Sequence, residues 1–189
     1  MAPLLPSAGA VLLLVDLQKA IDHPSWGKRN NPLAETQIAR LLAHWRSNGW
    51  PVWHIRHDSK EPGSHYRPGQ AGHDFKSETA PAAGEPVIPK QTSNAFIGTD
   101  LETRLRAQGH DTLVVVGVIT NNSVEATVRM AGNLGFSTYL AADCCFTFDR
   151  KDWNGNLRSA EDVHAMSLAN LDTEYCTVIT AAALLDVGT

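Results

Sequence analysis

The sequence predicts an α/β fold of three layers, α/β/α, around a central and mostly parallel sheet. Three observations carry that expectation. Short, continuously apolar runs recur along the chain, as strands buried on both faces require. Segments with helical periodicity separate those runs, as crossovers between parallel strands would. The 189 residues, 43% hydrophobic and 19% charged, suit one domain spanning 1–189 with a full core.

AVLLLVD (10–16) is a buried-strand candidate. The preceding MAPLLPSAG lacks a basic region, and the apolar run ends in Asp16, so this segment reads as a first strand and not a signal peptide. AETQIARLLAHWRSNG (34–49) places Ile38, Leu41, Leu42 and Trp45 on one helical face and stops at a glycine. PVWHIRH (51–57) is the next strand. TDLETRLRAQG (99–109) reads as a helix with Thr99 as N-cap, Glu102 completing a capping box, and Gly109 as stop. DTLVVVGV (111–118), a helix from about 122 to 134, STYLAAD (137–143), AEDVHAMSLANL (160–171) and YCTVIT (175–180) continue the alternation. Residues 58–86, rich in Gly, Pro, Ser and His but carrying Tyr66 and Phe75, are too long for an ordinary connection and read as an active-site flap.

In sheets of this kind ligands bind beyond the carboxyl ends of the strands. Asp16, His57, Lys90, the stretch Gly117–Ser123 and Asp143 all follow strand-like runs, so they can meet at one rim. A carboxylate (Asp16), an ammonium (Lys90) and a short nucleophilic side chain (Ser123) would form a hydrolytic machine. Peptide N–H groups around Ile119 and Ser123 can point at a developing oxyanion, where each preorganised donor is typically worth about 3 kcal/mol. Each residue alone has a plainer reading. Asp16 caps a turn, Lys90 is a solvated loop lysine, and Ser123 is an N-cap hydroxyl. Gln18 would reach a substrate amide, and Trp26, Tyr66 and Phe96 would wall a planar or apolar pocket. Asn122 would donate to a ligand, and His57 would organise the base of the flap. His164 reads as structural, and Cys144 as a core or near-site thiol.

The stretches VLLLVDLQKA (11–20), RHDSKEPGSHYRPGQ (56–70), PVIPKQTSNAFIGTDLE (86–102), VVVGVITNNSVEATVRMAGNLGF (114–136) and DCCFTF (143–148) together resemble the isochorismatase-like cysteine hydrolases. That superfamily contains nicotinamidases, N-carbamoylsarcosine amidohydrolases and isochorismatases. The resemblance implies Asp16 as general base, Lys90 as its triad partner, and a cis Val118–Ile119 peptide aiming the amides of Ile119 and residue 123. It implies hydrolysis of a small-molecule amide or related C–N bond. One departure matters: the resemblance implies a nucleophilic cysteine at 123, in a T-x-x-C-V-E-like context, where this chain reads TNNSVE. An alcohol is a far weaker acid than a thiol near pKa 8.5, so the Ser123 form is expected to turn over little or nothing. Three explanations fit: an engineered replacement of cysteine, a natural serine variant, or an isochorismatase-type enzyme that cleaves a vinyl ether by Asp16 acid catalysis. The first is preferred because the rest of the apparatus is intact. A catalytically dead metabolite-binding protein is a further alternative.

Nicotinamidases place an Asp-x-His pattern after the second strand to bind a metal; in this chain that region reads HIRHDSKEPGSHYRPGQAGH and lacks it, and His54 and His57 fall on opposite faces of a strand. The resemblance is therefore to the metal-free branch, and neither metal nor cofactor is expected. The net charge of −4 gives no reason to expect nucleic acid or an anionic membrane. No apolar run approaches the roughly 20 residues of a membrane span. Three cysteines, odd in number, suit a reducing cytoplasm. A homo-oligomer, dimer or tetramer, is expected, with an apolar helix face beyond the core's needs serving as contact.

Overall fold

The computed structural model describes residue 6 and residues 9–186. Part of the N-terminal segment weighed above as a signal peptide, residues 1–5 and 7–8, lies outside them. Six strands form one sheet: β1 (Val11–Val15), β2 (Val52–His57), β3 (Val87–Lys90), β4 (Thr112–Val118), β5 (Ser137–Phe146) and, numbered after a small hairpin, β8 (Thr177–Ile179). Their spatial order is β3-β2-β1-β4-β5-β8, and every neighbouring pair is parallel. The hairpin pairs β6 (Arg150–Lys151) with β7 (Leu157–Arg158) in antiparallel fashion.

Strand β1 explains why the sheet is covered on both sides. All five of its residues are buried, and alternate side chains leave opposite faces. Leu12 and Leu14 join a core with Ile38, Leu41, Leu42 and Trp45 of helix α1 (Ala34–Ser47) and Leu184 of α5 (Ala181–Leu185). Val11, Leu13 and Val15 join a second core with Leu101 and Leu105 of α2 (Leu101–Ala107), and Val128 and Ala131 of α3 (Glu125–Asn133). Leu171 of α4 (Ala160–Leu171) belongs to that second core. Among the described residues no helix is long and apolar enough to cross a membrane.

The chain winds from β1 through β2 to β3 in one direction and then returns to place β4 on the other side of β1. The reversal falls between β1 and β4, where strand-end loops part and leave a crevice. Gly117 makes their close approach possible. It sits at φ +123°, and a Cβ there would overlap the Val15 carbonyl oxygen.

Several local expectations change. The helix at 101–107 takes Asp100 as its N-cap residue, with no side-chain cap. The Thr99 hydroxyl donates to the Ala95 carbonyl and accepts the amide of Leu101, the first helical residue, at 3.4 Å. Asp143 lies within β5 and accepts a hydrogen bond from the Ala181 amide, bracing α5 instead of joining the rim. The segment 58–86 is pinned along its length. Lys76 ion-pairs with Asp22 at 2.6 Å and Glu35 at 2.9 Å, and Glu85 pairs with Arg46 and His54. Only residues near its start face the strand-end crevice, as described below.

Two buried histidines are pushed below the ordinary imidazole pKa. Burial lowers His54 despite its partner Glu85, and burial lowers His164, which meets the Thr120 hydroxyl at 2.9 Å. Burial works to raise Glu35 and Glu85, but Arg29 with Lys76, and Arg46 with His54, hold the two carboxyls down at about 2.

Two outcomes follow from this packing. Leu13→Ala is expected to cost about 2–5 kcal/mol in denaturant unfolding, and Gly117→Ala more than Leu13→Ala because backbone must move. Stability is also expected to fall with acid in two stages. The depressed histidines favour the folded state above pH ~6.5, and that contribution is lost as pH falls through their lower native values. The depressed carboxylates favour it above pH ~4.5, and theirs is lost towards pH ~2. Denaturant midpoints from pH 8 to 3 check both stages.

Candidate active site

Three strand ends and one turn converge on Lys90. As the last residue of β3 it is wholly buried, and its ammonium reaches Asp16 Oδ2 at 2.7 Å, just past the end of β1. The same nitrogen donates to the Thr92 carbonyl at 2.9 Å and to Ser123 Oγ at 3.3 Å. His57 Nδ1, at the end of β2, lies 3.5 Å away. An ammonium has three protons for these four acceptors, so the longest contacts share one.

Asp16 adopts φ +54°, a left-handed conformation that costs a non-glycine residue about 1–3 kcal/mol. Its carbonyl accepts the Gln18 amide at 2.8 Å and the Tyr66 hydroxyl at 3.4 Å. Its second carboxylate oxygen, Oδ1, is buried without a hydrogen-bond partner. Ser123 lies in a π-type turn, Thr120–Val124, that follows β4 and leads into α3. The turn begins after a cis Val118–Ile119 peptide. A widened turn of this kind lets a side chain leave the helical register, and such turns recur at functional sites.

Asp16, His57, Thr92 and Ser123, but not the buried Lys90 itself, line a cavity of about 320 Å³ together with Trp26, Tyr66, Ile119 and Asn122. Trp26, Ile119 and Asn122 are shared with an outer recess that continues to Phe148 and Arg150. Trp26 donates to the Ala20 carbonyl at 2.9 Å and stacks on Phe148, so its ring is fixed as a wall. Tyr66 packs its edge against His57. Burial, followed by the charge of Lys90, pushes the His57 pKa below the usual imidazole value, so this ring is neutral at pH 7.

Two residues expected to meet substrate are placed elsewhere. Gln18 is fully buried and its amide is already engaged. Nε2 donates to the carbonyls of His57 and His73 at 3.1 and 2.9 Å, and Oε1 accepts the His57 amide at 2.7 Å. It ties the β1 end to the β2 end and positions His57. Phe96 points into the second core, where it packs on Phe136.

Other cavity residues were not singled out by the sequence. Ser59, Glu61 and Ser64 come from the start of the 58–86 segment, and Gln91 and Ser93 follow Lys90. Their signal was only a polar stretch after each strand. The loop is held in place by Asp58, which accepts from Arg56 at 2.7 Å and meets His73 at 2.7 Å. Burial works to raise the Asp58 carboxyl, yet those two partners hold it low.

No cysteine lines the cavity or its outer recess. Cys144, Cys145 and Cys176 are free and buried, and burial pushes all three upwards, Cys176 to about 12. Among the described residues no three His, Cys, Asp or Glu side chains cluster as metal ligands.

Residues 10–183 match the model of the isochorismatase domain. The chain is 40% identical to the uncharacterized isochorismatase family protein YrdC of Bacillus subtilis over 175 residues, 93% of this chain and 94% of that protein. A crystal structure of a candidate hydrolase of the isochorismatase family from Chromobacterium violaceum is 62% identical. It matches with a TM-score of 0.94 and covers 98% of this chain and 96% of its own. Maleamate amidohydrolase of Pseudomonas putida is 35% identical over 106 residues, 56% of this chain and 45% of that protein. With the domain match and these near full-length similarities, the chain belongs to the isochorismatase family.

Proposed function

We propose that this chain is a hydrolase of a small-molecule amide or related C–N bond, with Asp16, Lys90 and Ser123 as its reacting groups. The observation that carries the reading is the single buried ammonium that touches both the Asp16 carboxylate and the Ser123 hydroxyl, two groups that line the cavity. Similarity to an amidohydrolase of maleamate supports the bond class.

Asp16 accepts the proton of Ser123 Oγ, and the unpartnered Oδ1 is the acceptor atom free to do so. Oγ then bonds to the carbonyl carbon. The oxyanion rests on the amides of Ile119 and Ser123, and Lys90 balances the charge. Collapse breaks the C–N bond, and the leaving nitrogen takes the proton from Asp16. Water next attacks the acyl group, its proton goes to Asp16, and Ser123 recovers its own as the acid departs. A hydroxyl in the same surroundings remains protonated far more than a thiol would, so attack is the slow step.

A second reading draws on the same two facts, an alcohol at 123 and a free Asp16 Oδ1. In it Asp16, as an acid, protonates a vinyl ether and no covalent adduct forms. The two chemistries leave different traces.

Ser123→Cys is expected to raise amide turnover by roughly 10²-fold, and Asp16→Asn in that background to lower it by about 10²–10⁴-fold. Steady-state assays on a panel of small amides, with mass spectrometry for an acyl adduct at residue 123, check both. No gain on any amide counts against the amide reading. Isochorismate hydrolysis by the Ser123 form that vanishes in Asp16→Asn would establish the second. Tight metabolite binding with no turnover in either form would leave a binding protein.

A further inference from the structure

The cavity beside Ser123 is unbalanced in charge. Within it the Asp16 carboxylate is matched by the Lys90 ammonium at 2.7 Å, and His57 is neutral at pH 7. The remaining charged lining residue is Glu61, which is exposed and forms no ion pair among the described residues. Cations of the same stretch are engaged elsewhere. Arg56 grips Asp58, and Arg67 donates to the Pro62 carbonyl at 3.2 Å. Neither lines the inner cavity, nor does Lys60 or any other lysine or arginine. In the outer recess Arg150 stands beside Asp149, one charge of each sign. The two recesses together therefore carry one uncompensated negative charge, at Glu61.

Glu61 is carried on a fixed backbone. The Ser59 amide donates to the Tyr66 carbonyl at 3.2 Å and closes a loop, inside which the Ser64 amide donates to the Glu61 carbonyl at 3.0 Å. The Ser59 and Ser64 hydroxyls accept the amides of Glu61 and Tyr66, each at 3.2 Å. The indole of Trp26, a wall of the same cavity, adds a preference of the same sign, since the face of an aromatic ring attracts cations. A carboxylate entering here meets Glu61 with no lysine or arginine to offset it. An ammonium meets an unpaired carboxylate and an electron-rich ring. At about 320 Å³ the space is at the small end of ligand pockets, so it suits a small substrate. We propose that Glu61 sets the substrate class of this site: small amides bearing an ammonium group are favoured, their uncharged analogues less so, and amides bearing a carboxylate are disfavoured. The proposal rests on the amide reading above for the bond that is cut, though not for the order of binding.

Three amides of similar size test this: γ-aminobutyramide as the cation, valeramide as the uncharged analogue and succinamate as the anion. NMR titration of the Ser123 protein reads their dissociation constants, and steady-state assays of Ser123→Cys read kcat/KM. Both affinity and kcat/KM are expected to fall in that order, by about 10-fold from cation to anion at low salt. Glu61→Gln should remove most of that ratio, and Glu61→Lys should invert it. Glu102→Gln, which removes a carboxylate of α2 that does not line the cavity, should leave the ratio as it was. Raising the salt to about 1 M should erase the preference in the unaltered protein, because a solvent-exposed contact is screened. Succinamate binding as tightly as γ-aminobutyramide, a ratio indifferent to Glu61→Gln, or no binding of any of the three would overturn the proposal. Binding in the expected order without cleavage by Ser123→Cys would sustain the charge selection and count against the amide reading instead.

Discussion

The structure depends on keeping one charged nitrogen out of water. The Lys90 side chain is wholly inaccessible, and removing an ammonium from solvent costs several kcal/mol unless charge and hydrogen bonds replace the lost hydration. The replacement comes from Asp16, the Thr92 carbonyl, Ser123 and His57, which belong to four separate parts of the chain. Taking either member of the Lys90–Asp16 pair away would strand the other, at about 3–5 kcal/mol. That penalty locks the ends of β1, β2 and β3 and the turn after β4 to a common point, beside the place where the winding of the sheet reverses. The left-handed backbone at Asp16 and the bare Gly117 opposite Val15 are both consistent with that demand.

Around this centre lies a ring of polar contacts that holds the neighbouring loop. Gln18 clamps His57 and His73 by their backbones, and Asp58 gathers Arg56 and His73. Further out, Lys76 is sunk between Asp22 and Glu35, and Glu35 is in turn held by Arg29 in a bidentate pair. A long segment without regular structure is thereby given a fixed course. Its first part, from Ser59 to Tyr66, walls the cavity, while the remainder serves as its mooring.

Much of this was legible in the sequence because the strands of a doubly covered parallel sheet are apolar throughout, and α1 shows its buried stripe plainly. AVLLLVD and DTLVVVGV announce strands, and the Asp16 that closes the first lines the cavity. The order in which strands pair is tertiary information, and no single segment carries it. The same limit explains Gln18 and Phe96. Each lies near the right strand end, but the direction of a side chain is decided by what surrounds it. Gln18 was drawn to two carbonyls and Phe96 to Phe136. The 150–158 hairpin escaped notice because two-residue strands leave no periodicity to read, and its stability rests on the local hydrogen bonds of Asp152. Asp143 misled because STYLAAD resembles a strand with a terminal acid, whereas β5 runs on to Phe146.

The three sulfur atoms have a consequence of their own. All are buried, and burial pushes each above the ordinary thiol pKa. Electrophiles and peroxides that silence thiolate enzymes find no ionised sulfur on the folded molecule. Uptake of an alkylating reagent by this chain is therefore a clock for its opening, blind to catalysis and sensitive only to the breathing of the core.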